Sequence, residues 1–305
     1  KPDVSWNCGD VQNRHHLPLD IYTLGEAMRD SGYHTAYIGK WHLYHSSLSE
    51  EYSALHRGFD FVIGGNHAPG PPDYYSPYKN NIPNLDPGPE GEYLNERLAQ
   101  EAIKWINTVK DDESPFFLNF WHYAVHGPVI PRLDLLQKYI DSRDPDAYQR
   151  CPEMATMLES MDNSLGILLD WLDEPVNAEL KANTLIILTS DNGGNTHSVT
   201  DNGDNWTSNR PLRGGKGNTY EGGVKVPWIV RWTGRIDAGT RCHTAIQSTD
   251  IYPTVLDIAG IPVKPGQIMD GRSILPLFKG DSMDEVPVFA DFPHRVGALC
   301  AQSAV

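Results

Sequence analysis

Short clusters along this chain bring together residue types that can handle an anion and a hard cation. Thr189-Ser190-Asp191-Asn192-Gly193-Gly194 directly follows the apolar run Leu185-Ile186-Ile187-Leu188. A buried strand ending in a carboxylate, a carboxamide and two glycines puts hard oxygen donors at a strand's C-terminal edge, where α/β proteins bind ligands. Such oxygens suit Ca²⁺, with Mg²⁺ as the alternative. Farther on come Leu212-Arg213-Gly214-Gly215-Lys216-Gly217, Tyr220-Glu221-Gly222-Gly223 and a second apolar run from Val226 to Val230. A lysine on a glycine-rich loop offers a positive charge to an anionic substrate. In Ile38-Gly39-Lys40-Trp41-His42-Leu43, the Lys and His at i and i+2 point into one cleft if the backbone stays extended. In His126-Gly127-Pro128-Val129-Ile130-Pro131, two prolines stiffen the loop and hold His126 at a fixed angle. Read singly, each cluster also fits a structural role: a turn or cap for Asp-Asn, a loop tip for Lys216, a packed side chain for each histidine. No G-x-x-x-x-G-K-[ST] and no G-x-G-x-x-G after a strand is present, so a nucleotide-binding fold has no support.

These clusters must be held by elements the sequence also marks. Thr23 to Arg29 reads as a short helix with a capping box, Thr23 and Glu26, ended by Gly32. His34 to Ile38 and Gly58 to Ile63 read as strands, followed by a long loop over 64–90 rich in Gly, Pro, Asn and Tyr. Glu92 to Val109 is a helix with Leu94, Leu98, Ala102 and Trp105/Ile106 on one face. Pro115 to Phe120 is a buried strand running into His122 and His126. Pro152 to Leu172 is a long helix with Met154, Met157/Leu158, Met161, Leu165, Leu168/Leu169 and Leu172 as its stripe. Strands over Thr184–Leu188 and Val226–Trp232 follow, then a helix near Asp250–Ala259 and a short strand at Val286–Ala290. Helices alternating with apolar strands predict an α/β fold, with a largely parallel central sheet and helices on both faces. The texture changes after Pro262, so residues 1–262 are expected to form the main domain and 263–305 to begin a smaller C-terminal subdomain.

A net charge of −15 over 305 residues argues against a nucleic-acid partner. An anionic substrate stays open, because local Lys and His can override the global field. No apolar run approaches the ~18 residues of a membrane span, and no signal segment is present. The 4 cysteines are Cys8, Cys151, Cys242 and Cys300; with no C-x-x-C pair they exclude zinc-ribbon and thioredoxin-type readings and leave one disulfide open. Asn205-Trp206-Thr207 is an N-glycosylation sequon of the kind chance supplies in a chain this long.

In order, the chain shows G-K-W-H, PFFL…H-x-P-x-x-P, T-S-D-N-G-G and L-R-G-G-K…Y-E-G-G-V-K-V-P. In this combination the sequence resembles the sulfatase family, the arylsulfatase-like branch of the alkaline-phosphatase-like superfamily. Ser248-Thr249-Asp250-Ile251-Tyr252-Pro253-Thr254 and Asp270-Gly271-Arg272-Ser273-Ile274-Leu275-Pro276 extend the match. It runs from about Leu19 to the C-terminus. The resemblance implies a metal-assisted sulfuric ester hydrolase acting on an aryl or carbohydrate sulfate, periplasmic, secreted or lysosomal. It implies Asp191 and Asn192 as two Ca²⁺ ligands, and Lys40 and Lys216 holding sulfate oxygens. His42 would contact the nucleophile and act as base; His126 would bind sulfate or protonate the leaving alcohol. Lys216, its pKa lowered by the metal, is the alternative acid. His294, in Phe292-Pro293-His294, falls where some relatives contact substrate.

The family nucleophile is a formylglycine made from the Cys or Ser of a C/S-x-P-S-R motif by a maturation enzyme. That motif and the Asp pair upstream of it are absent from these residues; Cys8 has neither the proline nor the arginine. The expectation is an incomplete copy of a sulfatase, cut at both ends and inactive as given. The alternatives are a nucleophile-less pseudoenzyme or a sulfated-glycan-binding module, for which Tyr74, Tyr75, Tyr78 and Trp206 would supply rings, and a phosphatase or phosphonate hydrolase of the same superfamily. G-K-W-H with R-G-G-K tilts against the last.

Overall fold

Thr23 caps helix α1 (Leu24–Asp30): its Oγ1 accepts from Glu26 N at 3.1 Å, and Glu26 Oε2 accepts from Thr23 N at 2.7 Å. Such a cap holds about 1 kcal/mol. The computed structural model describes residues 16–200, 203–292 and 302–304. It divides into two compact units. One comprises Arg14–Arg143 and Pro152–Leu180; the other comprises Lys1–Asn13, Asp144–Cys151 and Lys181–Val305.

The first unit is built on a parallel sheet in the order β2-β1-β3, with β1 at His34–Gly39, β2 at Phe61–Gly64 and β3 at Phe116–Trp121. Its register aligns Gly39 with Gly64 on one side and with Trp121 on the other, so all three strands end level. Alternate residues of β1 feed opposite faces. Tyr37 joins Trp41, Phe59 and Val62 in a cluster on the α1 side, where the Phe59 ring lies against Gly25. Ile38 and Ala36 face α2 (Leu94–Val109), meeting Leu94, Leu98, Ala102, Trp105 and Ile106. Fully burying such side chains contributes roughly 1.5–3 kcal/mol each. Helices thus cover both faces of this sheet, and the stripe read for α2 is the buried one. β3 is half-buried along most of its length rather than buried.

The helix α3 (Leu133–Asp141) precedes α4 (Pro152–Asp173), and both belong to this unit. Met154, Met157 and Leu172 of α4 are buried as expected, but Leu158 is 52% exposed. Hydroxyls replace it on the packed face. Ser160 donates to Glu96 Oε2 at 2.9 Å, and Ser164 donates to Asn95 O at 2.7 Å. Polar pairing with α2 therefore turns α4 away from its purely apolar stripe. Part of the loop over 64–90 turns inward: Tyr74 and Tyr78 are buried, with Tyr74 stacked on Tyr93 at 5.6 Å. These two rings are core, not a glycan-binding surface.

A short helix, α5 (Ala178–Ala182), leads to the second unit. There β4 (Leu185–Thr189) pairs antiparallel with β5 (Trp228–Trp232), an orientation the run of apolar residues did not reveal. Between them lies α6 (Glu221–Val224); α7 (Ile251–Ala259) and α8 (Leu275–Phe278) follow. The last strands are β6 (Ala290–Phe292) and β7 (Gln302–Ala304), paired antiparallel. The strand expected over 286–290 therefore starts only at Ala290. Cys242 is an exposed free thiol. Cys8, Cys300 and His294 lie outside the described residues. Among the described residues no helix is long and apolar enough to cross a membrane.

Candidate active site

Lys40 and His42 lie on the loop leaving β1, and His126 on the loop leaving β3. Because the strands are parallel and end in register, all three sit at one C-terminal sheet edge. Gly39 makes that exit possible. Its φ is +113°, and a Cβ there would lie 1.7 Å from Trp121 O. The close approach lets Lys40 N donate to Trp121 O at 2.9 Å, which fixes the start of the loop. His42 takes φ +52°, so the backbone is not extended here as the i, i+2 reading assumed. His42 N donates to Asn66 O at 3.0 Å and Gly65 N to Gly39 O at 2.8 Å, tying this loop to the one after β2. Lys40 is half-buried and His42 is exposed.

His126 is held from several sides. Its N–H donates to Tyr123 O at 3.0 Å, and its carbonyl accepts from the buried Tyr74 hydroxyl at 2.9 Å. Its Nδ1 lies 2.9 Å from Gly127 O. A carbonyl can only accept, so Nδ1 carries the hydrogen and Nε2 is the atom that can take up or give a proton. Proline stiffness is thus supplemented by Tyr74. His122 differs from its neighbour. Its Nε2 lies 2.8 Å from Ser164 Oγ, whose hydrogen goes to Asn95 O, so the ring donates from Nε2. Burial pushes its pKa down to about 4.

Asp191, Asn192 and Lys216 belong to the second unit. Asp191 is exposed at the end of β4; its Oδ1 accepts from Asn192 N at 2.9 Å. Asn192 Nδ2 donates to Gly193 O at 2.9 Å, which leaves the amide oxygen as its donor atom toward a cation. The lysine loop is fastened to this turn through the main chain. Lys216 N donates to Gly194 O at 3.0 Å, Gly193 N to Gly223 O at 2.9 Å, and Gly222 N to Arg213 O at 2.8 Å. Glycine is required for the contact: a Cβ on Gly193 would stand 1.8 Å from Gly222 O, and one on Gly223 would stand 2.1 Å from Asn218 O. The structure therefore brings Lys216 into one cluster with Asp191 and Asn192.

Sequence reasoning missed the residue that stitches this cluster. Asn209 accepts from Gly194 N at 3.1 Å and donates to Gly194 O at 3.0 Å and Gly214 O at 3.1 Å. A lone Asn before Arg210-Pro211 carries no recognisable signal. Asn218 likewise accepts from Gly215 N at 3.1 Å, and Arg213 stacks on Tyr220 at 3.9 Å. Both glycine-rich motifs are thus partly architectural.

The oxygen donors of Asp191 and Asn192 are of the right chemistry for a hard cation, but Ca²⁺ takes six to eight. Among the described residues no group of three or more His, Cys, Asp or Glu could hold a metal ion. The donors present fall short of a complete site, and no chemical step is assigned to a metal here.

The sequence model of the sulfatase family matches residues 5–261. A protein of Formosa agariphila named sulfatase is 31% identical, covering 92% of this chain and 58% of that protein. Mouse N-acetylgalactosamine-6-sulfatase is 31% identical, covering 92% of this chain and 52% of its own length. The chain thus spans about half the length of the curated relatives it matches. Among solved structures, Ps i-CgsB in complex with k-i-k-neocarrahexaose superposes with a TM-score of 0.75 at 27% identity, covering 94% of this chain and 64% of that one. The alkaline-phosphatase-like fold is shared, and the chain belongs to the sulfatase family.

Proposed function

We propose that this chain carries the sulfate-handling part of a sulfuric ester hydrolase. The observation that carries the reading is the placement of Lys40, His42 and His126 at one edge of a parallel sheet whose strands end in register. Lys40 and Lys216 neutralise the non-bridging sulfate oxygens, against which a nucleophile would otherwise be repelled. His42 stands at the nucleophile as base. His126 presents Nε2 to the leaving oxygen and gives it a proton, its ring fixed through Nδ1 by Gly127. Asp191 and Asn192 contribute oxygen donors to a Ca²⁺ whose further ligands come from outside the described residues. Bound there, the ion would supply Lewis-acid polarisation of a sulfate oxygen. The nucleophile of the reading is a formylglycine, installed by a maturation enzyme on a C/S-x-P-S-R segment. His294 is retained as a substrate contact.

The substrate class is a sulfated small molecule or glycan, in line with the carrageenan-type hexaose named with Ps i-CgsB. The compartment is periplasmic, secreted or lysosomal, as for enzymes meeting such substrates. Residues 1–262 form the sulfatase-like domain in this reading, and 263–305 open a smaller subdomain. The test is expression of the gene's full reading frame together with a formylglycine-generating enzyme. Sulfate release from 4-nitrophenyl sulfate is expected to exceed phosphate release from the phosphate ester, and Lys40→Ala and Lys216→Ala each to lower it at least about 100-fold. Preference for the phosphate ester, or full activity in both variants, would sink the reading.

A further inference from the structure

A cleft of about 600 Å³ opens beside His42, and it is lined by His16, His42, His45 and His67 with Tyr44 between them. All these residues belong to the first unit. No carboxylate is among the residues lining the cleft, in a chain whose net charge is −15. That local exclusion of acid is the feature to be explained.

The walls are built, not incidental. His16 bridges to Tyr44, and Leu17 N donates to Leu43 O at 2.8 Å, pairing one wall with the other. Behind Leu17 the buried Arg57 donates to Pro18 O at 3.1 Å and pairs with Glu26 at 3.5 Å. The His67 ring meets Tyr44 edge-on at 5.7 Å, and the loop carrying His67 is bonded to His42 N through Asn66 O. His45 Nδ1 accepts from Ser47 N at 3.2 Å, so the ring hydrogen sits on Nε2, a donor toward the cleft's anion. Around these rings the ionisable groups are placed so as not to compete. Glu50 accepts from the Tyr44 hydroxyl at 2.9 Å, and that phenol, pushed up to about 12, stays neutral. Glu51 accepts from Ser49 at 2.8 Å, and the His16 ring packs on Tyr52 at 4.9 Å.

We propose that this cleft seats a second anionic group, a sulfate or a carboxylate, of a multiply charged saccharide. The inference rests on the reading in which Lys40 and His42 handle the sulfate to be cleaved. It adds that the substrate carries more than one negative group.

The experiment is calorimetric titration of the purified chain with galactose 2,6-disulfate and with galactose 6-sulfate. The disulfate is expected to bind about tenfold more tightly than the monosulfate. His45 is exposed, so His45→Gln should fold. Alone and with His67→Gln it should remove the advantage and leave monosulfate affinity unchanged. In the wild type, the imidazole NMR signals of His45 and His67 should move with the disulfate. Equal affinity for both sugars, a preference that survives the double variant, immobile signals, or no binding of either sugar would each overturn the proposal. Lys40→Ala separates the two readings. If it abolishes monosulfate binding while the histidine variants change nothing, the sulfate site stands and the cleft proposal falls. If it changes nothing while the histidine variants remove the preference, the cleft stands and the assignment of Lys40 falls.

Discussion

Replacing Gly193 by alanine should break the fastening of Lys216 to the Asp191–Asn192 turn. The added Cβ would lie 1.8 Å from Gly222 O and 2.8 Å from Gly222 C. Ordinary contact needs about 3.5 Å, so the two loops must part by more than about 1 Å. That separation loses the bonds that tie residues 193–194 to the opposing segment, from Gly193 N to Gly223 O at 2.9 Å and from Lys216 N to Gly194 O at 3.0 Å. At about 1 kcal/mol net each, the cost is about 2 kcal/mol before any strain in the loops. Gly166→Ala is the matched control. It lies inside α4 with nothing within 4 Å of the added atom and no positive φ, so it should stabilise by about 0.5–1 kcal/mol. Urea midpoints give the two signs, and amide exchange locates the damage. Lys216 N, which donates to Gly194 O at 3.0 Å, should lose protection in Gly193→Ala and keep it in Gly166→Ala. A Gly193→Ala protein within about 0.5 kcal/mol of wild type, or one whose Lys216 amide stays protected, would refute the reasoning.

His122 makes stability depend on pH. Its folded pKa of about 4 lies below the free value, so its contribution is complete above pH 6.5 and is lost as pH falls toward 4. By pH 4.5 the loss should reach about 2.5 kcal/mol, and His122→Gln should remove that part of the acid sensitivity in urea titrations. Calcium should bind the isolated chain more weakly than about 1 mM by calorimetry, since Asp191 and Asn192 offer too few oxygens; micromolar affinity would require further ligands among the residues present. The purified chain, lacking C/S-x-P-S-R, should release no sulfate from 4-nitrophenyl sulfate, and measurable turnover would show that another residue serves as nucleophile.

Much of the framework was legible because local chemistry dictates it. The Thr23–Glu26 box and the Leu94/Leu98/Ala102 stripe each depend on neighbours within a turn or two, and both formed as read. The site motifs were legible as a combination, since Lys40, His42 and His126 follow strands whose apolar runs announce them. What failed depended on partners distant in sequence. Leu158 lost its place to Ser160 and Ser164 because α2 offers Glu96 and the Asn95 carbonyl. Tyr74 and Tyr78 looked like loop rings until Tyr93 and the His126 carbonyl gave them a core to join. Asn209 and the histidine-lined cleft had no signature at all, because their members come from separate loops.

The level ends of the three parallel strands also order the assembly of the site in time. β1 pairs with β2 across about 25 residues and with β3 across about 80. Closing the longer loop costs about 1 kcal/mol more in chain entropy, which favours the first pairing as the earlier event. The loop bearing Lys40 and His42 is then already clamped to the loop bearing His67, through Gly39 and Asn66, before β3 delivers His126. A nascent chain would hold the formed edge carrying Lys40 and His42 while His126 was still arriving, and variants weakening β3 should slow the last step without unmaking the first.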